Sequence, residues 1–296
     1  MAEKSKVARV AKEVTCAVAL VTLCVGLCAC SARSVIDSIR DNSSYPSASQ
    51  ARIDDANALE PQVSVPTIKE NGYLTVGIKA DMGVPFSQTD SQNRYWGLDI
   101  DLASALASEL GLHVRFVGVS DATAVQKSCD VVMSVEDGEA EGVAQTAVYA
   151  QQSISLFGRG KQGSLTQEEL VGRTIGARDA IAVQTTLSQL FPTASIEVFG
   201  NMQDCMEALA LGKVDYVAAD SATGNYFAEQ TGDISQIGTI DDPVDIGCGI
   251  VDSNADLAQA LQTSLDDLKA SGKYQLIRNR WLNSTEEADE EKPAVQ

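Results

Sequence analysis

Among side chains that do chemistry, histidine is the scarcest here: His113 is the one copy in 296 residues. A Ser-His-Asp triad or a multi-histidine metal site would have to be assembled around it alone, which argues against hydrolase chemistry. Seven cysteines are present. Cys24, Cys28 and Cys30 stand close enough to suggest a metal cluster, but they lie inside an apolar run, which argues against one. Cys129, Cys205 and Cys248 show no C-x-x-C spacing, and with Cys30 otherwise used their odd number leaves at least one thiol unpaired in a monomer. They read as small buried core residues without redox or metal function. No metal and no cofactor is expected.

Asp and Glu total 41 against 22 Lys and Arg, a net charge of −19. The segment Met1–Ala29 carries Lys4, Lys6, Arg9 and Lys12 against Glu3 and Glu13, so the remainder carries −21. A surface that acidic repels phosphate backbones and anionic lipid, and nucleic-acid binding is excluded as a function class. Apolar residues make up 44% of the chain, enough to bury a core.

The four N-terminal cations precede an apolar and small-residue run from Val14 to Ala29, the pattern of a secretory signal peptide over residues 1–29. At about 16 residues the run is short for a span of roughly 20. It ends in Leu27-Cys28-Ala29-Cys30, which resembles the lipobox of bacterial lipoproteins. That resemblance implies that Cys30 is lipidated, with palmitate-type acyl chains, and becomes the first residue of the mature protein. Several chains on one cysteine hold a protein firmly at a membrane. An uncleaved signal anchor is the alternative. Residues 30–66, rich in Ser, Asp, Asn and Ala with Pro46, Pro61 and Pro66, read as a flexible tether. The thirty-six residues 31–66 would average roughly 33 Å end to end. Residues 283–296 form an acidic tail expected to be disordered.

The body that must position any functional residue is therefore about Thr67–Leu282. Strand and helix signals alternate along it. Leu74–Ile78, Val114–Val119, Asp130–Val135, Ser153–Phe157, Thr174–Ala177, Ser195–Phe199, Val214–Ala219 and Ile246–Val251 read as strands. Leu102, Ala103, Leu106, Ala107 and Leu110 form a helical stripe with Asp99 or Asp101 as its cap and Gly111 as its end. Further helices are expected over Val183–Leu190, after the cap Asn201, over Ser221–Gln230, Ala255–Ala270 and Tyr274–Trp281. The alternation argues for an α/β fold with mostly parallel sheets, whose ligands sit at strand carboxyl ends beside helix N-termini.

Three stretches carry a family resemblance in order: LTVGIKADMGVPFSQTDSQNRYWGLDIDL from Leu74, LVGRTIGARDA through ALALGKVDYVAAD to Asp220, and the C-terminal LQTSLDDLKASGKYQLIRNRWL. Together they resemble the family 3 solute-binding proteins of polar amino-acid ABC transporters, most of all the glutamate/glutamine-binding lipoproteins. The resemblance implies a two-lobe, type II periplasmic-binding-protein-like fold, with each lobe a mostly parallel sheet flanked by helices. Lobe 1 would be 67–150 plus 250–282, and lobe 2 with its hinge segments 151–249. The crossings would fall near Tyr149–Ser153 and Ile246–Gly249. It further implies a small polar solute, an amino acid above all, as ligand, and an ABC permease of the cytoplasmic membrane as partner. The protein would act as a monomer, lipid-anchored on the outer face of that membrane.

By the same resemblance Asp220 receives the ligand's ammonium, with a second expected role as helix cap, and Gly97, Asp99 and Asp101 are turn and cap residues. Pro85 and Phe86 form the cleft turn, and Tyr149 at the first crossing joins the ligand-binding set. The family's Thr-x-x-Arg segment, whose arginine grips the ligand's carboxylate, is replaced by SVEDGEAEGVAQTAVY, which holds no arginine. Glu136, Asp137, Glu139 and Glu141 in its place would repel a carboxylate. The family's Gly-Thr anion nest is Ala180-Ile181, and its aromatic before the Pro-Phe turn is Gly83. Arg178, Arg94 and Lys79 are the cations that could replace the missing arginine. Two other readings remain open: a ligand-free sensor or interaction lipoprotein with a degenerated pocket, and a dehydratase-like enzyme pairing Glu136 or Asp137 with Asp220.

Overall fold

The computed structural model describes residues 60–79, 82–92, 94–160, 166–179 and 181–282. The expected signal peptide, Cys30, the tether up to residue 59, Ala180 of the altered nest and the acidic tail lie outside them.

Two five-stranded sheets organise the described chain. The first half supplies β1 (Tyr73–Lys79), a short hairpin of β2 (Gln88–Thr89) and β3 (Tyr95–Trp96), α1 (Leu98–Glu109), β4 (His113–Val119), β5 (Val131–Val135) and β6 (Val143–Gln152). The chain then runs through β7 (Ile154–Arg159), β8 (Thr174–Arg178), α2 (Ile181–Leu190), β9 (Ser195–Phe199), α3 (Met202–Ala210), β10 (Tyr216–Asp220), α4 (Ser221–Thr231) and β11 (Ile234–Thr239). It returns with β12 (Val244–Val251), α5 (Ala255–Ala270) and α6 (Lys273–Trp281).

The first sheet has the order β4-β1-β5-β12-β6 and the second β11-β7-β10-β8-β9. β1 is parallel to β4 and β5, whereas β12 is antiparallel to β5 and β6. β8 is parallel to β9 and β10, whereas β7 is antiparallel to β10 and β11. In each sheet four strands share one direction and one opposes them. The opposing strand is in each case the one that arrives from the other sheet: β7 follows β6 through Ser153, and β12 follows β11. β12 already pairs with β6 at Val244, so the return strand enters the first sheet ahead of the expected crossing at Ile246–Gly249.

Burial explains which strands were easy to read. β5 is buried at every position and β1 at six of seven, as parallel central strands must be. The first core packs α1 and α5 on the sheet: Leu102 and Leu106 meet Leu257, Leu261, Leu265 and Leu268 over Val76, Ile78 and Met133. The second sheet carries one cluster on each face. Leu156, Tyr216 and Ala218 join Leu187 and Phe191 on one side, while Phe157, Val217 and Ala219 join Met206 and Leu209 on the other. Successive strand residues thus feed opposite clusters, the two-residue period of a pleated strand. Gly224 of α4 lies against Phe157, where a Cβ would stand 2.1 Å from the ring.

Two expectations about termini need correction. Residues 60–66, read as tether, are tied to the body: the Gln62 backbone N–H donates to Leu110 O at 3.0 Å and Val63 packs on the first core. Neither Asp99 nor Asp101 caps α1. Gly97 holds the cap position with φ 133, and a Cβ there would stand 2.2 Å from Phe86 O, so a glycine is required. Starting the helix at Leu98 turns Asp99 inward and aims Asp101 at Trp281 Nε1, 2.8 Å away, and Arg280 Nη1, 3.1 Å away.

Candidate functional site

β1 and β8 end at the same place in space. Lys79, the last residue of β1, and Arg178, the last of β8, line one cavity of about 480 Å³. Gly83, Ser87, Gln88 and Thr89 complete its first-sheet wall, and Asp179 and Gly200 its second-sheet wall. This is the strand-end position where open α/β sheets bind ligands, and the volume suits a small metabolite. A second cavity of about 560 Å³ lies along the crossing segments and contains none of these residues.

The two cations differ in what they offer. Lys79 is buried, and its Nζ lies 3.0 Å from both carboxylate oxygens of Glu139. Glu139 Oε2 also accepts the Glu136 backbone N–H at 3.1 Å. The acidic loop that replaces the family arginine therefore does more than repel: one of its carboxylates neutralises the cleft lysine. Arg178 is exposed, and among the described residues no carboxylate lies within ion-pair distance of it. Its guanidinium is free to take a ligand's carboxylate in a forked pair.

Asp220 ends β10, the strand beside β8; Ala218 pairs with Ala177, which sets Asp220 and Arg178 at neighbouring strand ends. Asp220 holds the N-cap position of α4 without a side-chain capping bond, so the expected cap role is not made. Burial pushes its carboxyl above the usual range, the Arg178 charge draws it back, and Asp241 adds to the rise. A half-buried carboxylate that no neighbouring side chain neutralises at contact distance is suited to an incoming ammonium.

The remaining expected site residues go elsewhere. Phe86 is fully buried in the first core. Tyr149 is 2% exposed, and its hydroxyl donates to Asp99 Oδ1 at 2.6 Å. The Tyr149 oxygen also accepts the Ser134 N–H at 2.8 Å, while Ser134 Oγ donates to Asp99 Oδ2 at 2.7 Å. That closed triangle supports the hinge strand and leaves Tyr149 no hydroxyl for a ligand. Burial raises the Asp99 carboxyl to about 6, against the two hydroxyl donors and the charge of Lys79. Arg94 is occupied at the hairpin turn, where its Nε lies 2.7 Å from Asp90 Oδ2, outside the cavity lining. His113 is exposed at the start of edge strand β4. Sequence reasoning missed Ser87, Gln88, Thr89 and Asp179; the first three follow the Pro85-Phe86 turn, which could have marked them, and Asp179 adjoins the Arg178 strand end.

A family model described as bacterial extracellular solute-binding proteins, family 3, matches residues 74–284. Curated relatives include a putative ABC transporter arginine-binding protein of Escherichia coli K12, 27% identical over 211 residues, 67% of this chain and 86% of that protein. A glutamine-binding ABC transporter protein of Bacillus subtilis is 24% identical over 231 residues, 73% of this chain and 83% of that one. Among solved structures, an ancestral cationic amino acid solute-binding protein matches with a TM-score of 0.63 at 24% identity, over 71% of this chain and 96% of that one. A mutant ArgBP from T. maritima matches with a TM-score of 0.53 at 26% identity, over 71% and 95%. The family match opens in β1 and closes just past α6, taking in both sheets, both crossings and the cavity between them. The chain belongs to the bacterial extracellular solute-binding proteins, family 3.

Proposed function

We propose that this chain captures a free polar amino acid in the cleft between its sheets and presents it to an ABC permease, while lipid on Cys30 holds it as a monomer at the outer face of the cytoplasmic membrane. The observation that carries the reading is the pair Arg178 and Asp220 at adjoining strand ends, a cation for an α-carboxylate and an anion for an α-ammonium. Both stand on the second sheet. Ser87, Gln88 and Thr89 line the same cavity as Arg178 from the first sheet and would supply polar contacts once the lobes shut, while Asp220 stands at the adjoining strand end outside that lining. A ligand touched by both lobes favours the closed form by its differential affinity, and transport needs no chemical step from this protein.

Charge balance suggests the ligand's side chain. Lys79 is cancelled by Glu139, Asp179 lines the cavity beside Arg178, and Asp220 at the adjoining strand end adds a second carboxylate. A cationic amino acid fits that balance, in keeping with the arginine named for the E. coli relative.

The test is a thermal-shift screen of the full chain in detergent against the twenty amino acids. A ligand at 100 times its Kd stabilises the native state by about 2.7 kcal/mol. Arg178→Ala is expected to weaken binding about 10- to 100-fold, the usual scale for a charge-assisted bond. If no amino acid raises the melting temperature, the sensor reading takes over, which the neutralised Lys79 and the missing loop arginine already favour as second choice.

A further inference from the structure

The loop between β5 and β6 carries four carboxylates, Glu136, Asp137, Glu139 and Glu141, and among the described residues only Glu139 enters an ion pair. It turns back to the end of β1. Both of its oxygens stand 3.0 Å from Lys79 Nζ, and Oε2 also accepts the Glu136 N–H at 3.1 Å. The Lys79 side chain is 10% exposed and that of Glu139 26%, so water and salt screen the contact less than they screen a surface pair. The loop that presents Glu139 is tied down beyond it. Gln126 Nε2 donates to Glu141 O at 2.9 Å, and the Val143 N–H donates to Ala140 O at 3.3 Å where β6 begins. Glu139 is thus held ready on its lysine before any ligand arrives.

Lys79 is at the same time part of the cleft wall. Ser87 fixes its backbone, with the hydroxyl donating to the Lys79 carbonyl at 3.1 Å. The charge of Lys79 also reaches Asp99, but the Asp99 oxygens already accept the Ser134 and Tyr149 hydroxyls. Glu139 is therefore the carboxylate that takes this ammonium's donors. Two oxygens of one carboxylate on one ammonium is also the contact that an acidic side chain entering the cleft would make.

We propose that Glu139 is a selectivity residue of the cleft: it occupies Lys79 as a ligand's acidic side chain would, and so shuts out aspartate-like and glutamate-like ligands while admitting neutral and cationic ones. The inference rests on the amino-acid capture proposed above and deepens it. A ligand carboxylate that reaches for Lys79 must displace a tethered one, whose effective concentration is on the order of millimolar or higher. Displacement leaves Glu139 without its cation and close to the incoming charge of the same sign. A ligand with no second carboxylate meets neither cost.

L-Glutamate and L-glutamine are the probes, because they differ in charge and hardly in shape. Calorimetry on the full chain in detergent gives the ratio of their affinities. Glu139→Ala, which bares Lys79, is expected to raise the preference for L-glutamate over L-glutamine at least about tenfold, the scale of one charge-assisted hydrogen bond. L-Glutamate binding that appears where the wild type shows none counts as that gain. Adding Lys79→Met is expected to remove it. Glu139→Gln keeps a neutral hydrogen bond to Lys79 and is expected to shift the ratio less, in the same direction; it carries the test should Glu139→Ala fail to fold. A ratio that both single variants leave unchanged overturns the selectivity role. So does a gain that survives Lys79→Met, since Glu139 would then act by general repulsion and not by occupying the lysine. If the wild type binds an amino acid in the screen and no variant takes either probe, the role is overturned and capture stands. If wild type and variants bind no amino acid at all, capture falls and the selectivity role falls with it.

Discussion

Asp99 is 1% exposed, yet among the described residues two hydroxyl donors are all that its carboxylate oxygens receive within hydrogen-bond distance. Its folded pKa of about 6 stands above the unfolded value of 3.8, so the native state prefers the protonated acid. The stabilisation this gives is complete below about pH 4 and is lost as pH rises through about 6. Two pKa units correspond to roughly 3 kcal/mol, so Asp99→Asn should flatten the stability profile between pH 4 and 7 by about that amount relative to wild type. Urea titrations at pH 4, 5.5 and 7 check it, and parallel profiles for the two proteins would refute it. At this scale the sequence was only partly legible. Asp220 could be named because the family resemblance places a carboxylate there, Arg178 because the missing family arginine called for another cation, and Lys79 because it closes an apolar strand. Glu139 could not be matched to Lys79, because a loop carboxylate finds its partner through a chain path that no periodicity records. Tyr149 joined the ligand set and Phe86 was read as a residue of the cleft turn, more core than stacking platform, because aromatics suit both a cleft and a core; the described packing gives both to the core.

Helix α3 behaves as its sequence says. Asn201 Oδ1 accepts the Asp204 N–H at 2.9 Å, and Met202, Cys205, Met206 and Leu209 are buried. Asn201→Ala should cost about 1 kcal/mol in chemical denaturation, with the m-value unchanged. Helix α4 sets propensity against packing. Gly224→Ala improves intrinsic helix formation, but the added methyl would meet Phe157 at 2.1 Å. Overpacking of this kind costs about 1–3 kcal/mol, so a loss of stability is expected, and a gain would show that β7 and α4 separate freely. Strand β6 escaped the sequence reading. It is an edge strand with largely half-buried positions, and its run of Ala, Gln and Thr lacks the apolar alternation that marks a strand. β11, IleSerGlnIleGlyThr, was missed for the same reason: its pairing along β7 supplies the order that its side chains do not announce.

For the molecule as a whole, the order of strands and helices was the legible part, because continuous apolar strands and capped helices alternate over nearly the entire body. Which residues from distant segments meet across the cleft was not. Closure can be watched directly: spin labels on Ser91→Cys and Gln203→Cys should move closer when a stabilising amino acid is added, and a fixed distance would mean that binding leaves the lobes in place. Cys30→Ala should release the protein from membranes into the medium, as read by fractionation. Meanwhile Cys129, Cys205 and Cys248 are all buried and unbridged. Burial raises the first two thiols to about 11 and about 12 and the third further still, so almost no thiolate is present at neutral pH. In an oxygenated medium the folded protein therefore ages slowly at these sulfurs. Its denatured form has no such shelter: three thiols become available to air at once, and each hour spent unfolded creates crosslinked chains that cannot find their way back.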